Sequence, residues 1–206
     1  MKENYQIIMD EIIEDNVKKG ITPSLLLHAC CAPCSSYCIE YLAKYFDITM
    51  FFYNPNISYK EEYDKRVNEL IRLISEMPDA DNVKVVAGEY EPQKFYDIAK
   101  GLEDVREGGE RCFKCYRLRL NETAIYARNK GFDYFTTTLS ISPHKNAQVL
   151  NEIGKEISDL YNVGYLFSDF KKKNGYKRSI ELSAEYNLYR QNYCGCIYSK
   201  TEMRGK

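Results

Sequence analysis

Apolar runs bounded by turn signals recur along the chain, separated by stretches of helical periodicity. The runs at residues 24–29, 48–53, 83–87 and 133–139 read as strands, with a weaker one at 165–167. Apolar residues spaced for one helix face mark residues 35–46, 58–77, 92–102, 112–130 and 145–161, and a late helix near 178–189. Ahead of the first strand, Ile7, Ile8, Ile12 and Ile13 stand at helical spacing and place an N-terminal helix within residues 1–20. This alternation predicts an α/β fold, a Rossmann-like and mostly parallel sheet with helices on both faces. No repeat, low-complexity segment or linker divides the 206 residues, so one domain is expected, closed by a cysteine-containing segment at 175–206. Residues 103–110, with Gly108-Gly109, are the expected mobile loop.

The chemistry of such a fold belongs beyond the carboxyl ends of its strands. There the first strand runs straight into Cys30-Cys31-Ala32-Pro33-Cys34, and Ser35-Ser36 offers a helix cap. Thiols stand where a nucleotide-binding protein places glycines, which argues against ATP use. A helix N-terminus lowers thiolate pKa and favours anions, which suits a negatively charged metal centre.

The chain has eight cysteines, grouped as Cys30, Cys31, Cys34 and Cys38, then Cys112 and Cys115, then Cys194 and Cys196. The N-terminal stretch has neither the basic flank nor the apolar run of a signal peptide, and no stretch approaches the ~18 apolar residues of a membrane span. A cytoplasmic protein without a membrane partner is therefore expected, and its cysteines point to metal or redox chemistry rather than structural disulfides. Cys30-Cys31 and Cys112-x-x-Cys115 together supply four sulfurs. One pair is vicinal and leaves a buried-looking strand, so an iron–sulfur cluster is preferred over zinc. Cys194-Gly195-Cys196 reads as a redox pair or as two further ligands. Cys34 is a candidate ligand for a second metal, and Cys38 is expected to be buried packing.

Charge is uneven: residues 1–110 carry 12 Lys/Arg against 21 Asp/Glu, and residues 111–206 carry 17 against 9. This suggests an anionic partner, such as a nucleic acid, docking on the second half. Arg111, Lys114, Arg117 and Arg119 interleave with the second cysteine motif. Lys171, Lys172, Lys173, Lys177 and Arg178 place five cations in eight positions, and either run would fit phosphates if it is not merely a solvated face. The 19 tyrosines add stacking platforms for unpaired bases.

Six ordered motifs resemble one family. They are Leu27-His28-Ala29-Cys30-Cys31-Ala32-Pro33-Cys34; Tyr53-Asn54-Pro55-Asn56-Ile57 with Glu62, Tyr63 and Arg66; Arg111-Cys112-Phe113-Lys114-Cys115-Tyr116-Arg117-Leu118-Arg119; Thr136-Thr137-Thr138-Leu139 with Ser142, Pro143 and Lys145; Asp169-Phe170-Lys171-Lys172; and Tyr189-Arg190-Gln191-Asn192-Tyr193-Cys194-Gly195-Cys196. From about residue 24 to 199 the chain resembles the cobalamin-independent epoxyqueuosine reductases, the QueH family. The resemblance implies a fold of the adenine-nucleotide hydrolase type and the last step of queuosine synthesis on tRNA, with electrons from a donor it does not identify. It also implies that Cys30, Cys31, Cys112 and Cys115 hold a [4Fe–4S] cluster, that Cys34 is the natural ligand for a second iron ion, and that Cys194 and Cys196 form a redox-active pair. Contacts to the tRNA substrate would fall to Lys171, Lys172, Lys173 and Arg178. Asp169 is a possible proton donor, or else a partner of the neighbouring lysines. The competing readings are another tRNA-modifying enzyme of the same fold and a zinc-stabilised tRNA-binding module.

Overall fold

The computed structural model describes residues 3–204, so positions 1–2 and 205–206 of the expected terminal segments lie outside the described residues. Five parallel strands form one sheet in the order β3-β2-β1-β4-β5. They are β1 (Ser24–His28), β2 (Asp47–Phe52), β3 (Lys84–Ala87), β4 (Tyr134–Thr137) and β5 (Gly164–Tyr165). The helices are α1 (Tyr5–Lys18), α2 (Ala32–Leu42), α3 (Lys60–Glu76), α4 (Pro92–Ala99), α5 (Glu110–Lys130), α6 (Ala147–Tyr161), α7 (Gly175–Glu185) and α8 (Ile197–Arg204).

Because successive strand residues face opposite sides, β1 divides its leucines between two cores. Leu25 and Leu27 pack with Met9 of α1, Cys38 and Leu42 of α2, Leu70 of α3 and Leu182 of α7. Leu26 packs on the other face with Leu120 and Ala124 of α5 and Leu150 and Ile153 of α6. Helices therefore cover both faces, which is why the central strand is apolar on both sides. Close packing extends to Gly154 of α6, where a Cβ would sit 2.2 Å from the Tyr165 ring.

Several boundaries differ from expectation for local reasons. α2 starts at Ala32 because Pro33 suits a first helical turn, whose N–H needs no partner. Ser35 and Ser36 accordingly lie inside the helix, donating to the carbonyls of Cys31 (2.8 Å) and Pro33 (3.0 Å) rather than capping it. The expected strand over 133–139 ends at Thr137, whose hydroxyl accepts from Leu139 N at 3.1 Å and starts a 3-10 turn over Thr138–Ile141. The late helix ends at Glu185. Arg72 then donates to the Tyr186 carbonyl at 3.0 Å, and Asn187 takes a positive φ of 46°. α8, entered directly after Cys196, had no apolar period to announce it. Residues 103–110 are irregular but tied down: Arg111 donates to the carbonyls of Leu102 and Glu103 at 2.8 Å each.

The chain adds β2 and β3 on one side of β1 and returns to place β4 on the other, so the switch point lies between β1 and β4. His28, the last residue of β1, is buried there, with Nδ1 2.8 Å from Thr137 Oγ1 and Nε2 3.0 Å from the Tyr53 carbonyl oxygen. Burial and then the nearby Arg119 charge push its pKa down to about 3. A neutral buried histidine contributes stability above the unfolded-state value near 6.5, and this is lost as pH falls towards 3. Urea unfolding of the metal-free protein should therefore show stability dropping between pH 7 and pH 5. His28→Gln should flatten that slope, and an unchanged slope would contradict this reading.

Candidate metal centre

The extended backbone after β1 turns Cys30 and Cys31 towards the switch point, and α2 returns Cys34 to the same side. The three sulfurs lie within 4.8 Å of one another, with Cys30 Sγ 3.7 Å from Cys31 Sγ. Two thiolates on one tetrahedral ion at about 2.3 Å each stand roughly 3.8 Å apart, so this spacing suits a shared metal. Thr138, at the start of the turn after β4, locks the group across the switch point: its hydroxyl accepts from Cys30 N at 3.4 Å and donates to Cys30 Sγ at 3.5 Å. Negative charge collects on Cys31, whose pKa lies well below the ordinary thiol value because the Cys30 and Cys34 thiols donate to it and Arg66 adds attraction. Cys34 is pushed well above that value by the neighbouring Cys30 and Cys31 sulfurs and by burial.

α5 supplies the second pair. Cys112 and Cys115 are one turn apart on one face of its first turns, and Gly108 N donates to Cys112 Sγ at 3.2 Å. Burial raises both thiols, Cys115 to about 11. They face a small cavity also walled by Cys194, Cys196 and Tyr116. Arg119, Lys145 and Cys194 line both this cavity and a cleft of about 1060 Å³ over the Cys30, Cys31 and Cys34 group. Cysteines from all three sequence clusters thus converge on one edge of the sheet. Cys38 does not: it is fully buried in the core and donates to the Cys34 carbonyl at 3.3 Å, as its packing role predicts.

The Cys194-Gly195-Cys196 segment is fixed by polar contacts from Arg66, Lys145 and Ser199. Arg66 of α3 donates to the Cys194 carbonyl at 3.1 Å. Lys145, 8% exposed, points Nζ to Cys194 Sγ at 3.4 Å and to Glu107 at 2.9 Å. Ser199 of α8 accepts from Cys194 N at 3.1 Å and donates to Glu107 at 3.0 Å, while its own N–H reaches Cys196 Sγ at 3.3 Å. Gly195 has φ +119°, and a Cβ there would meet Ile57 at 2.9 Å. Burial pushes the Cys196 thiol up to about 12.

The donor set fits a thiolate-bound metal group, and the site also holds buried polar atoms without a hydrogen-bond partner among the described residues: the Tyr116 hydroxyl, Asn56 Oδ1 and Arg66 Nη2.

Several cations stand elsewhere than the sequence suggested. Arg111 and Arg119 read as part of a phosphate-facing run, but both are 1% exposed. The signal was their spacing, since Arg111, Cys115 and Arg119 follow one another at four-residue steps along one helix face. Lys171 pairs with Asp169 at 2.9 Å, Lys173 with Asp10 at 2.8 Å and Arg178 with Glu40 at 2.6 Å. The Lys173 pair ties the segment before α7 to α1 and the Arg178 pair ties α7 to α2, while the Lys171 pair is local and Lys172 is exposed. Asp169 is thus a lysine partner. Glu107 went unnoticed because it lies in a loop whose only sequence signal was a glycine pair.

A family model described as epoxyqueuosine reductase QueH matches residues 25–202. The chain is 44% identical to the epoxyqueuosine reductase QueH of Streptococcus pyogenes serotype M1, over 99% of this chain and 80% of that protein. The protein of the same name from Staphylococcus epidermidis is 45% identical over 96% of this chain and 85% of its own length. That of Thermotoga maritima is 39% identical over 89% and 93%.

Bound metal should follow the sulfurs that converge. Elemental analysis after anaerobic purification should find most of it lost in Cys30→Ser and Cys112→Ser and retained in Cys38→Ser. Loss in Cys38→Ser at unchanged stability would contradict the site as drawn.

Proposed function

The chain belongs to the epoxyqueuosine reductase QueH family, and we propose that its cysteine-lined cleft is where epoxyqueuosine in tRNA is reduced to queuosine. It is an oxidoreductase of tRNA queuosine biosynthesis, and tRNA is its substrate. The observation that carries the placement is the convergence of seven cysteines and four buried cations, Arg66, Arg111, Arg119 and Lys145, around two cavities at the switch point.

In this reading Cys30, Cys31, Cys112 and Cys115 hold a [4Fe–4S] cluster and Cys34 holds a second iron. The proximity of Cys34 to Cys30 and Cys31 supports a ligand role. When bound, the cluster supplies electrons singly at moderately negative potential. Removing the epoxide oxygen as water leaves an alkene and consumes two electrons and two protons. The Cys194 and Cys196 thiols can provide both: forming their disulfide releases two electrons and two protons, so epoxide and dithiol become alkene, water and disulfide. A reductant must then restore the pair. Burial keeps Cys196 protonated until that step, and Lys145 and Ser199 hold the pair at the cleft wall. The short C-x-C ring favours ready reduction.

Anticodon phosphates would meet the cleft mouth, where Arg106 and Arg190 are exposed and have no ion-pair partner among the described residues. Tyr176 and Tyr193 line the same cleft and offer stacking faces for unpaired bases. Lys171, Lys173, Lys177 and Arg178 already pair with carboxylates, leaving Lys172 as the cation of that run without an ion pair among the described residues. No helix among the described residues is long and apolar enough to cross a membrane, and we place the reaction in the cytoplasm, where tRNA is modified.

Cys194→Ser and Cys196→Ser should each abolish turnover of epoxyqueuosine-containing tRNA while leaving the visible spectrum intact. Iron loss in either variant would make the pair ligands instead. Arg106→Glu with Arg190→Glu should weaken tRNA binding about tenfold or more and lower its salt dependence, because phosphate contacts release counterions. Wild-type affinity in that double variant would put the interface elsewhere.

A further inference from the structure

Three buried cations line the cleft, and two of them carry carboxylates. Arg66 donates to Glu62 at 2.7 Å, and Lys145 to Glu107 at 2.9 Å. Arg119 has none within ion-pair distance among the described residues. Its Nε lies 3.3 Å from His28 Nε2, and one Nη donates to Asn54 Oδ1. Neither partner brings a negative charge: an imidazole is neutral or cationic, and the Asn54 amide is itself spent on the Ala29 carbonyl at 2.8 Å. A guanidinium cannot shed its proton, and at 1% exposure water does not screen it. A buried charge left in this state is strongly unfavourable unless an anion completes it.

The anions within its reach are sulfurs. Arg119 follows Cys115 by one helical turn and Cys112 by two, and it lines both cavities. Cys30 and Cys194 line the cleft with it, Cys115 and Cys194 line the small cavity with it, and its charge attracts all three sulfurs. Two of these come from the two ligand pairs, so the guanidinium stands between β1 and α5 where the two halves of the centre meet.

We propose that Arg119 is the fixed counter-charge of the metal centre, a positioning residue that stabilises its reduced, more negative state and thereby holds its reduction potential up. This rests on the iron–sulfur reading above. A buried positive charge favours whichever redox state carries more negative charge, and the effect is large because few mobile dipoles surround it. Partners without negative charge follow from the same requirement. A carboxylate beside Arg119 would cancel the charge, whereas His28 and Asn54 orient the planar fork without doing so.

The test compares Arg119→Gln, which removes the charge, with Arg119→Lys, which keeps it and loses the fork. Iron and acid-labile sulfide are measured first in all three anaerobic proteins, and the fraction of cluster reduced is then followed spectroscopically against poised potential. At the wild-type midpoint, where reduced and oxidised forms are equal, Arg119→Gln should hold at least tenfold less reduced than oxidised cluster, a shift of about 59 mV for one electron. Arg119→Lys should remain near equality. If Arg119→Gln loses iron while Arg119→Lys keeps it at the wild-type potential, the charge is required to hold the centre and the proposal stands. An unshifted Arg119→Gln midpoint would overturn it, as would equal failure of both variants, which would assign Arg119 to fork geometry alone. Wild-type protein without iron and sulfide would overturn both this and the iron–sulfur reading, and the initial analysis tells that failure apart.

Discussion

The attraction between buried cations and cysteine sulfurs at the switch point is the constraint on which the rest of the site depends. Burial favours the neutral thiol at Cys115 and Cys196, raising them to about 11 and about 12. Arg119, with no carboxylate at ion-pair distance among the described residues, would by itself be an uncompensated charge. Together with a metal group they form a balanced whole, because thiolate ligation needs the proton removed and the cations favour the resulting anion.

The fold brings these groups together through its topology. β1 ends at the switch point, so Cys30 and Cys31 emerge beside the turn after β4, where Thr138 grips Cys30. α5 crosses the opposite face of the sheet and directs one stripe, Cys112, Cys115 and Arg119, at the same edge. The C-terminal segment closes the ring, because Arg66, Asn56, Lys145 and Ser199 all hold Cys194. Four separate stretches of chain must fold correctly before the cavities exist, so metal loading also reports on assembly.

Much of this was legible in the sequence, and the exceptions have physical causes. Apolar runs and period-3.6 patterns located the seven helices from α1 to α7 and the strands, β5 only through Tyr165, because burial on both sheet faces leaves continuous apolar runs and helix packing leaves one apolar stripe. Boundaries moved where a side chain or proline decided the end: Pro33 at α2, Thr137 at β4. α8 was missed because eight residues with little apolar content carry no period. The cysteine clusters announced a metal or redox site through their spacing alone. The cations misled, because a run of Lys and Arg looks the same whether it faces solvent or sulfur. Arg119 was read as surface, whereas its register with Cys115 marks it as interior. The pairing of Lys171 with Asp169 was one of the two readings the sequence offered, whereas Asp10, the partner of Lys173, can be assigned only once the segment before α7 is packed on α1. Glu107 links Lys145 to Ser199 across 54 residues of sequence, a contact no local pattern encodes.

The central claim is that these sulfurs hold an iron–sulfur centre. Chemical analysis of the wild-type protein, purified without oxygen, tests it most directly. The account predicts a brown protein with at least about four irons and about four acid-labile sulfides per chain, and broad visible absorption that bleaches on reduction. A colourless protein carrying one equivalent of zinc, with neither iron nor sulfide, would contradict it.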